Sequence, residues 1–578
     1  MSKKNSSNQY YAQGNNTKAP FTFKIHRGEG MALLAMNWKT GMPPKDFVGF
    51  AIDYKEPGGE KFYSLKNRIA FPDKTGRVNK ITLSTMQSPI QKFRWTHFPR
   101  NAEMDGDFEY RVVPVFMNDK DELSYGENQS ATIELRRETY PGKLNVTFTR
   151  GFVMSQAFVD RYEAKGKLTT LIPKESKAGP TFKPTHPSKD EALPWMGFEA
   201  RSAIFELLDE AFNDKSSKVY VVAYDLSQKE ILDKLKRLGK RLKIIIDDSK
   251  DHKKEGSGEN QAEKILIKSA GKSNVMRQHV SSLQHNKIIV VDGKKCKKAI
   301  CGSTNYSWRG LYVQNNNAII LSGAKAIKPF LDAFNDYWLK GFPGKGFGQT
   351  KSAKWQNLGF SDIDAKVSFS PHGDGNFILQ KIADDVKKAK SSVLFSLAFL
   401  SQTNGPVSKA VLSAVKNSKL FTYGISDRKA GGIFVALPDR GNLQPVFSSN
   451  LVDAPEPFKS EPSALSGAFG NRMHHKFIII DFDTPDARLY MGSYNFSDPA
   501  DTKNGENLLL IKDKRIVTSY MIEALRIFDH YHFRVGQASK KSKKNQLTLQ
   551  KPPKGKSKPW FDEDYKVSIK MKDRKIFS

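Results

Sequence analysis

The stretch "MHHKFIIIDFDTPDARLYMGSYNFSDPADTKNGENLLL", Met473 to Leu510, sets two histidines and a lysine directly before an apolar run. An earlier stretch, "LQHNKIIVVDGKKCKKAICGSTNYSWRGLYVQNNNAII", repeats the arrangement from Leu283 to Ile320. Both copies read His, any residue, Lys, four residues, Asp, and then Gly-Ser-x-Asn. In an extended strand, residues i and i+2 point to the same side. His285 and Lys287 therefore share a face, as do His474 and Lys476. The runs that follow, "IIVV" and "FIII", are apolar on both faces, the pattern of a strand inside a covered sheet. An ammonium beside an imidazole there is costly unless an anion meets it. Phosphate is the leading candidate. The segments Gly302/Ser303/Asn305 and Gly492/Ser493/Asn495 add close backbone approach, hydroxyls and amide donors for phosphate. Two lysines, two asparagines and two histidines can thus surround one phosphoryl group.

The elements around the two copies also repeat. The first copy is preceded by a helix over Phe198 to Phe212, a strand over Lys218 to Leu226, a helix capped by Ser227, and a strand over Arg241 to Asp248. The second is preceded by a helix over Phe377 to Ala389, a strand over Ser391 to Leu400, a helix over Val407 to Ser418 and a strand over Lys419 to Asp427. This is a duplicated α/β unit. Before it, short alternating runs such as "FVGFAIDY" and "FEYRVVPVF", separated by turn residues, predict an antiparallel β-sandwich. The expected layout is a disordered segment 1–20, a sandwich 21–151, a first α/β half 152–345, a linker 346–365, a second half 366–536 and a basic extended tail 537–578.

Composition narrows the setting. The 578 residues hold 93 Lys+Arg against 61 Asp+Glu, a formal charge of +32. Such an excess attracts polyanions, nucleic acid first and anionic membrane second. No apolar stretch is long enough to span a bilayer, and "MSKKNSSNQYYAQGNN" lacks the apolar core of a secretory signal. Only two cysteines occur, Cys296 and Cys301. They exclude a disulfide framework and fit a reducing compartment, so the expectation is cytoplasmic.

The doubled H-x-K-x4-D and G-S-x-N pattern resembles the phospholipase D superfamily, and the second copy is similar to the bacterial endonucleases of that superfamily. The resemblance covers about Gly197 to Arg534. The sandwich, through Trp38 and the Phe108-Tyr110-Val112 face, resembles a fibronectin type III module. The superfamily resemblance implies duplicated phospholipase D-like α-β-α units forming a pseudo-dimer around one site, hydrolysis without a metal or other cofactor, a covalent phosphohistidine, and a chain catalytically complete as a monomer. The expected catalytic set is His285, His474, Lys287, Lys476 and Glu506. Asn305, Asn495, Ser303 and Ser493 are expected to bind phosphate, with Asn316, Asp292 and Asp481 in support.

After the second G-S-x-N comes "NGENL", with Glu506, where the first half has "QNNNA", with Asn316. A carboxylate against His474 would favour imidazolium and suit a general acid, whereas an amide against His285 would leave a neutral nucleophile. The assignment is His285 as nucleophile and His474 as acid/base. The motif aspartates are expected to accept structural hydrogen bonds, and His475, on the opposite face of its strand, to be packed or at the surface. The charge favours a nuclease acting on DNA or RNA. The rival is a phospholipase D cleaving glycerophospholipid headgroups, including a bacterial effector exported without a signal peptide. A degenerate binding protein is disfavoured, since every motif position is filled twice. The sandwich is a candidate spacer or protein-binding module.

Overall fold

The computed structural model describes residues 10–73, 75, 83–135, 138–340, 346–373, 375, 377–400, 404–427, 433–437, 442–446, 462–463, 468–469, 472–541 and 548–578. The chain divides into two compact units. One comprises Met1–Arg137, Thr518–Asp529 and Phe533–Ser578, and the other Glu138–Val517 with His530–His532.

The first unit is built mainly from two antiparallel sheets, as the alternating runs predict, with Lys66–Asn67 and Leu83–Ser84 forming a small separate pair. One orders Tyr11–Gln13, Phe21–Arg27, Ala32–Trp38 and Arg94–His97. The other orders Leu123–Tyr125, Asp107–Met117, Phe47–Lys55 and Tyr63–Ser64, with Gln129–Glu134 also paired to Asp107–Met117. Phe21, Phe23, Ile25 and Leu34 of the first sheet and Phe50, Ile52, Phe108 and Tyr110 of the second lie in one buried cluster.

Two expectations are corrected here. The segment before Pro20 is not wholly irregular, because Tyr11–Gln13 pairs with Phe21–Arg27; residues 1–9 lie outside the described residues. The basic tail is not an extended surface strand. Phe561 is buried in the sandwich core. Trp560 stacks on Phe93 at 5.3 Å and donates its indole N–H to the Phe47 carbonyl at 3.1 Å. The lysines dominate the composition of this tail, but the aromatics among them decide its position, each removing large apolar area from water. Residues 542–547 lie outside the described residues.

The second unit holds two large sheets whose central strands follow the same order, besides a two-stranded sheet of Pro462–Ser463 and Ala468–Phe469. The first runs Leu144–Phe148, Asn317–Ser322, Lys297–Gly302, Lys287–Asp292, Lys218–Ala223, Leu242–Ile246 and Val275–Arg277. The second runs Gln356–Asn357, Asp364–Ser370, Glu506–Lys512, Arg488–Gly492, Lys476–Ile480, Ser392–Ala398, Phe421–Asp427, Ile433–Leu437 and Asn442–Val446. In each, the strand carrying the motif lysine lies between the strand that leads to Gly-Ser-x-Asn and one that pairs in parallel with its other neighbour. The duplicated α/β reading holds.

Boundaries differ from the expected ones. Leu144–Phe148, placed at the end of the sandwich by sequence, instead forms the edge of the first α/β sheet against Asn317–Ser322. The expected linker is folded too: Phe347 is buried and stacks on Tyr337 at 4.2 Å, and Gln356–Asn357 pairs with Asp364–Ser370. Its Gly, Lys and Ser content hid several apolar anchors: Leu358 and Ile363 are also buried, and Trp355 packs against the core of the second half. Residues 341–345 lie outside the described residues. The helix expected from Phe198 sits within Lys189–Asn213, whose backbone breaks at Phe198 itself (φ 47°, ψ −140°). Helix Lys229–Leu238 is capped by Gln228, not Ser227, with the Gln228 side chain accepting from the Ile231 N–H at 2.7 Å.

Candidate active site

The two motif strands begin next to each other because the halves exchange backbone pairing just before each histidine. Gln284 bridges Gly505 in parallel, and Met473 bridges Asn315. The Gly505 N–H donates to the Leu283 carbonyl at 2.8 Å, and the Asn315 N–H donates to the Arg472 carbonyl at 2.8 Å. Each bridge places the next residue of one half beside the next residue of the other. The consequence is a crossed pairing. His285 Nδ1 lies 2.7 Å from Glu506 Oε2, and His474 Nδ1 lies 2.8 Å from Asn316 Oδ1. This corrects the expected pairs, Glu506 with His474 and Asn316 with His285. Matching the halves by sequence position cannot reveal that each half completes the other.

The amide of Asn316 is oriented by its other contacts. Its Nδ2 donates to the Gly310 carbonyl at 2.9 Å, and its Oδ1 accepts from the Ser303 hydroxyl at 2.9 Å. The His474 ring therefore meets an acceptor and must carry its proton on Nδ1; the Ser303 carbonyl at 3.2 Å is a second acceptor there. His285 likewise presents Nδ1–H to a carboxylate. In both rings Nε2 is the nitrogen left for other chemistry.

The two motif lysines are both buried. Lys287 Nζ donates to the His285 carbonyl, and Lys476 Nζ to the His474 carbonyl at 2.9 Å. Burial drives the Lys287 ammonium down to about 7, against the opposing pull of Glu506, Asp225 and Asp247. Lys476 falls well below its ordinary range, by burial first and then by repulsion from Lys287. His474 is likewise pushed well down, by burial and by Lys476, Lys287, His285 and Arg309. His285 is lowered less, because Glu506 opposes the burial. A cluster this short of negative charge is built to receive an anion. Anion binding should therefore draw in protons: the bound state holds both lysines charged, whereas free Lys287 loses its proton as pH rises through about 7. Calorimetric titration with sulfate at pH 8 should show proton uptake and an affinity that falls toward pH 9. A binding heat independent of buffer ionisation would contradict this.

The asparagines of both Gly-Ser-x-Asn segments can meet an anion only through their amide N–H groups. The buried side-chain oxygens of Asn305 and Asn495, which have no hydrogen-bond partner, are acceptors and would repel one. The serines are engaged with the protein itself. The Ser303 hydroxyl donates to Asn316 Oδ1 and accepts from the Asn317 N–H at 3.1 Å, and the Ser493 hydroxyl accepts from the Asn507 N–H at 3.0 Å. They brace the site rather than face it. Glycine is required before them because a Cβ at Gly492 would lie 2.1 Å from the Asn507 carbonyl oxygen, and at Gly302 2.6 Å from that of Asn317.

Asp481 caps the backbone N–H groups of Lys390, Ser391 and Ser392, and Asp292 pairs with Lys297, so both aspartates are structural. His475 is buried between Phe477 and Phe148, with Nδ1 accepting from Asn317 Nδ2 at 3.2 Å. Its counterpart Asn286 accepts from Asn507 Nδ2 at 2.9 Å, a second crossed pair. Both cysteines are buried and free.

Sequence reasoning missed a group behind His285. Tyr224 lies edge-on to His285 at 4.6 Å and to His252 at 4.6 Å, with Lys287 Nζ 4.7 Å from its ring centre. His252 Nδ1 lies 2.7 Å from Asp247, and its Nε2 lies 3.1 Å from Asp225. Asp225, His252 and Glu259 bring three potential ligand atoms within 4.8 Å. With both ring nitrogens donating, however, His252 has no lone pair for a metal, and the group is an ion-pair network. A comparison of the strand ends would have exposed it, since Ala398 and Phe399 stand in the second half where Tyr224 and Asp225 stand in the first.

Residues 206–338 and 382–527 match the family model "Cardiolipin synthase, PLD-like domain". The chain carries two phospholipase D-superfamily domains. Among curated relatives, a phospholipase D of Rickettsia prowazekii is 28% identical over 151 residues, 26% of this chain and 60% of that protein. A phospholipase D of Rickettsia bellii is 31% identical over 106 residues, 18% of this chain and 49% of that protein. The chain thus spans about half to three fifths of these relatives' length. A solved structure of Haemophilus influenzae phosphatidylserine synthase aligns with 60% of this chain and 91% of its own, at 16% identity and a TM-score of 0.41. Each phospholipase D-like domain contributes one H-x-K-x4-D motif to the shared site. No helix among the described residues is long and apolar enough to cross a membrane.

Proposed function

We propose that the chain is a phosphodiesterase that works through a phosphohistidine at His285. The observation that carries this is the crossed pairing: a buried carboxylate on His285 Nδ1, a neutral amide on His474 Nδ1, and two buried lysines beside them. Attack by His285 Nε2 on phosphorus forms an N–P bond and leaves a cationic ring, whose charge Glu506 balances. The P–O bond to the departing alcohol breaks as His474 Nε2–H gives its proton to the leaving oxygen. The arriving phosphodiester anion offsets the lysines that depress His474 and so restores the proton the acid needs. Neutral His474 then takes a proton from water, the water oxygen attacks phosphorus, and the P–N bond breaks to regenerate His285. His285 thus keeps the nucleophile role expected from sequence, but for the opposite reason: the carboxylate stabilises the phosphorylated ring. Lys287, Lys476, Asn305 and Asn495 are proposed to hold the nonbridging oxygens.

For the substrate we propose a glycerophospholipid, which reverses the preference drawn from charge alone. The curated relatives are named phospholipase D, and an anionic lipid surface is as good a partner for a charge of +32 as a nucleic acid is. Nucleic acid is the second reading, favoured by that same charge. The N-terminal β-sandwich is proposed as a spacer or binding module of fibronectin type III type. The test is incubation of pure protein in EDTA with mixed anionic liposomes and, separately, with labelled single- and double-stranded DNA and RNA. Headgroup release from liposomes with intact oligonucleotides is expected. Cleaved oligonucleotides with a log-log salt slope of several counterions, and intact lipid, would make the nuclease reading the right one.

A further inference from the structure

Among the described residues, the His252 network behind His285 is seen in the first half. Strand Lys218–Ala223 runs into Tyr224 and Asp225, whereas the equivalent backbone of the second half carries Ala398 and Phe399; the Tyr224 N–H donates to the carbonyl of Asn286, and the Ala398 N–H to that of His475, both at 3.1 Å. Asp247 and Asp427 also correspond. Asp247 accepts from the backbone N–H of Gln284, immediately before His285, at 2.6 Å, and Asp427 accepts from that of Arg472, two residues before His474, at 3.2 Å. In the first half Asp247 also meets His252, which is held between Asp247 and Asp225. A ring whose two nitrogens both face carboxylates donates from both, and is therefore an imidazolium.

We infer that His252, as an imidazolium bridging Asp225 and Asp247, is a positioning residue that sets the electrostatic setting of His285 and the placement of its strand. Asp247 links the two functions, since it accepts from His252 at one oxygen and from Gln284 at the other. Tyr224 touches both histidines edge-on. With its ring centre 4.6 Å from each, the histidine centres are no more than about 9 Å apart. At that separation, unit charges in a partly buried setting shift one another by about one pH unit.

The charged groups facing His252 are the carboxylates of Asp225, Asp247, Asp251 and Glu259, with Arg277 holding its carbonyl at 2.8 Å. Lys287 and Arg309 also act on Asp225. Around His285 the acting groups are Glu506, Lys287 and Lys476. The signs follow. His252→Gln removes a positive charge and should raise the His285 titration midpoint. Asp225→Asn removes a negative charge while Asp247 and Glu259 keep His252 charged, and should lower it. The double variant should fall between.

This inference rests on His285 as the reacting histidine, but its test does not depend on turnover. Protein labelled with ¹⁵N in its histidines is titrated by long-range ¹H–¹⁵N correlation, with His285 assigned by difference against His285→Ala. In the wild type His252 should be doubly protonated at pH 7 and beyond. The two single variants should move the His285 midpoint in opposite directions, each by up to about one unit. A neutral His252 at pH 7, shifts of the same sign, or no shift above about 0.2 units in either variant would overturn the proposal; the wild-type measurement decides alone if a variant fails to fold. In parallel, nitrophenolate release from bis(4-nitrophenyl) phosphate should show pH profiles displaced with those midpoints. Opposite NMR shifts in a wild type that releases no nitrophenolate would leave the network standing and sink the phosphodiesterase reading instead.

Discussion

His285→Ala is expected to abolish hydrolysis of every phosphodiester the protein accepts, including one with an activated leaving group, by about four orders of magnitude or more. Without its Nε2 there is no N–P bond to make, and an easier leaving group does not replace a missing nucleophile. His474→Asn should behave differently. Loss of the acid should cost about three orders of magnitude or more with an alkoxide leaving group and far less in the first step with nitrophenolate, whose departure hardly needs a proton. That variant should therefore release close to one equivalent of nitrophenolate in a burst and then stall, because water activation also needs His474. Stopped-flow absorbance distinguishes the two. A burst from His285→Ala, or steady turnover without a burst in His474→Asn, would reverse the roles.

The second large effect is expected at Glu506. Glu506→Gln keeps the size of a buried side chain whose Oε2 lies 2.7 Å from His285 Nδ1, but removes the charge that balances the phosphorylated ring. By analogy with other carboxylates that orient a catalytic imidazole, kcat should fall by about three orders of magnitude with KM changed little. Asn316→Asp places a carboxylate against His474 instead. It should raise the titration midpoint of His474, which burial and the lysines hold low, so that more of the acid is protonated and activity on slow-leaving substrates extends to higher pH. Had the halves paired as sequence position suggests, Glu506→Gln would act on His474, and its effect would depend on the leaving group. Kinetics of Glu506→Gln with alkyl and nitrophenyl diesters measure that difference.

Much of this was legible in the residues. Two H-x-K-x4-D copies, each followed by Gly-Ser-x-Asn, carried the duplicated α/β fold and the identity of the imidazoles and lysines, because period-two spacing and uninterrupted apolar runs are local signals. What crosses between halves was not legible. The pairing of Glu506 with His285 depends on the bridges from Gln284 to Gly505 and from Met473 to Asn315, which join residues more than a hundred positions apart. The bracing role of Ser303 and Ser493 was hidden for a related reason, since a hydroxyl in a glycine turn reads the same whether it faces a ligand or a backbone N–H. His252 lies in a polar, lysine-rich loop, and only the fold brings Asp225 and Asp247 to its two nitrogens. In the tail, Trp560 and Phe561 outweigh the many lysines around them, because buried aromatic area decides position where solvated charge does not.

The covalent step at His285 is tested most directly by trapping it. His474→Asn protein, mixed with bis(4-nitrophenyl) phosphate, quenched at alkaline pH to protect the P–N bond and digested, should yield a phosphorylated peptide with the added mass on His285. The same mass on His475 or on another histidine, or no adduct when nitrophenolate has been released, would contradict a phosphohistidine at His285.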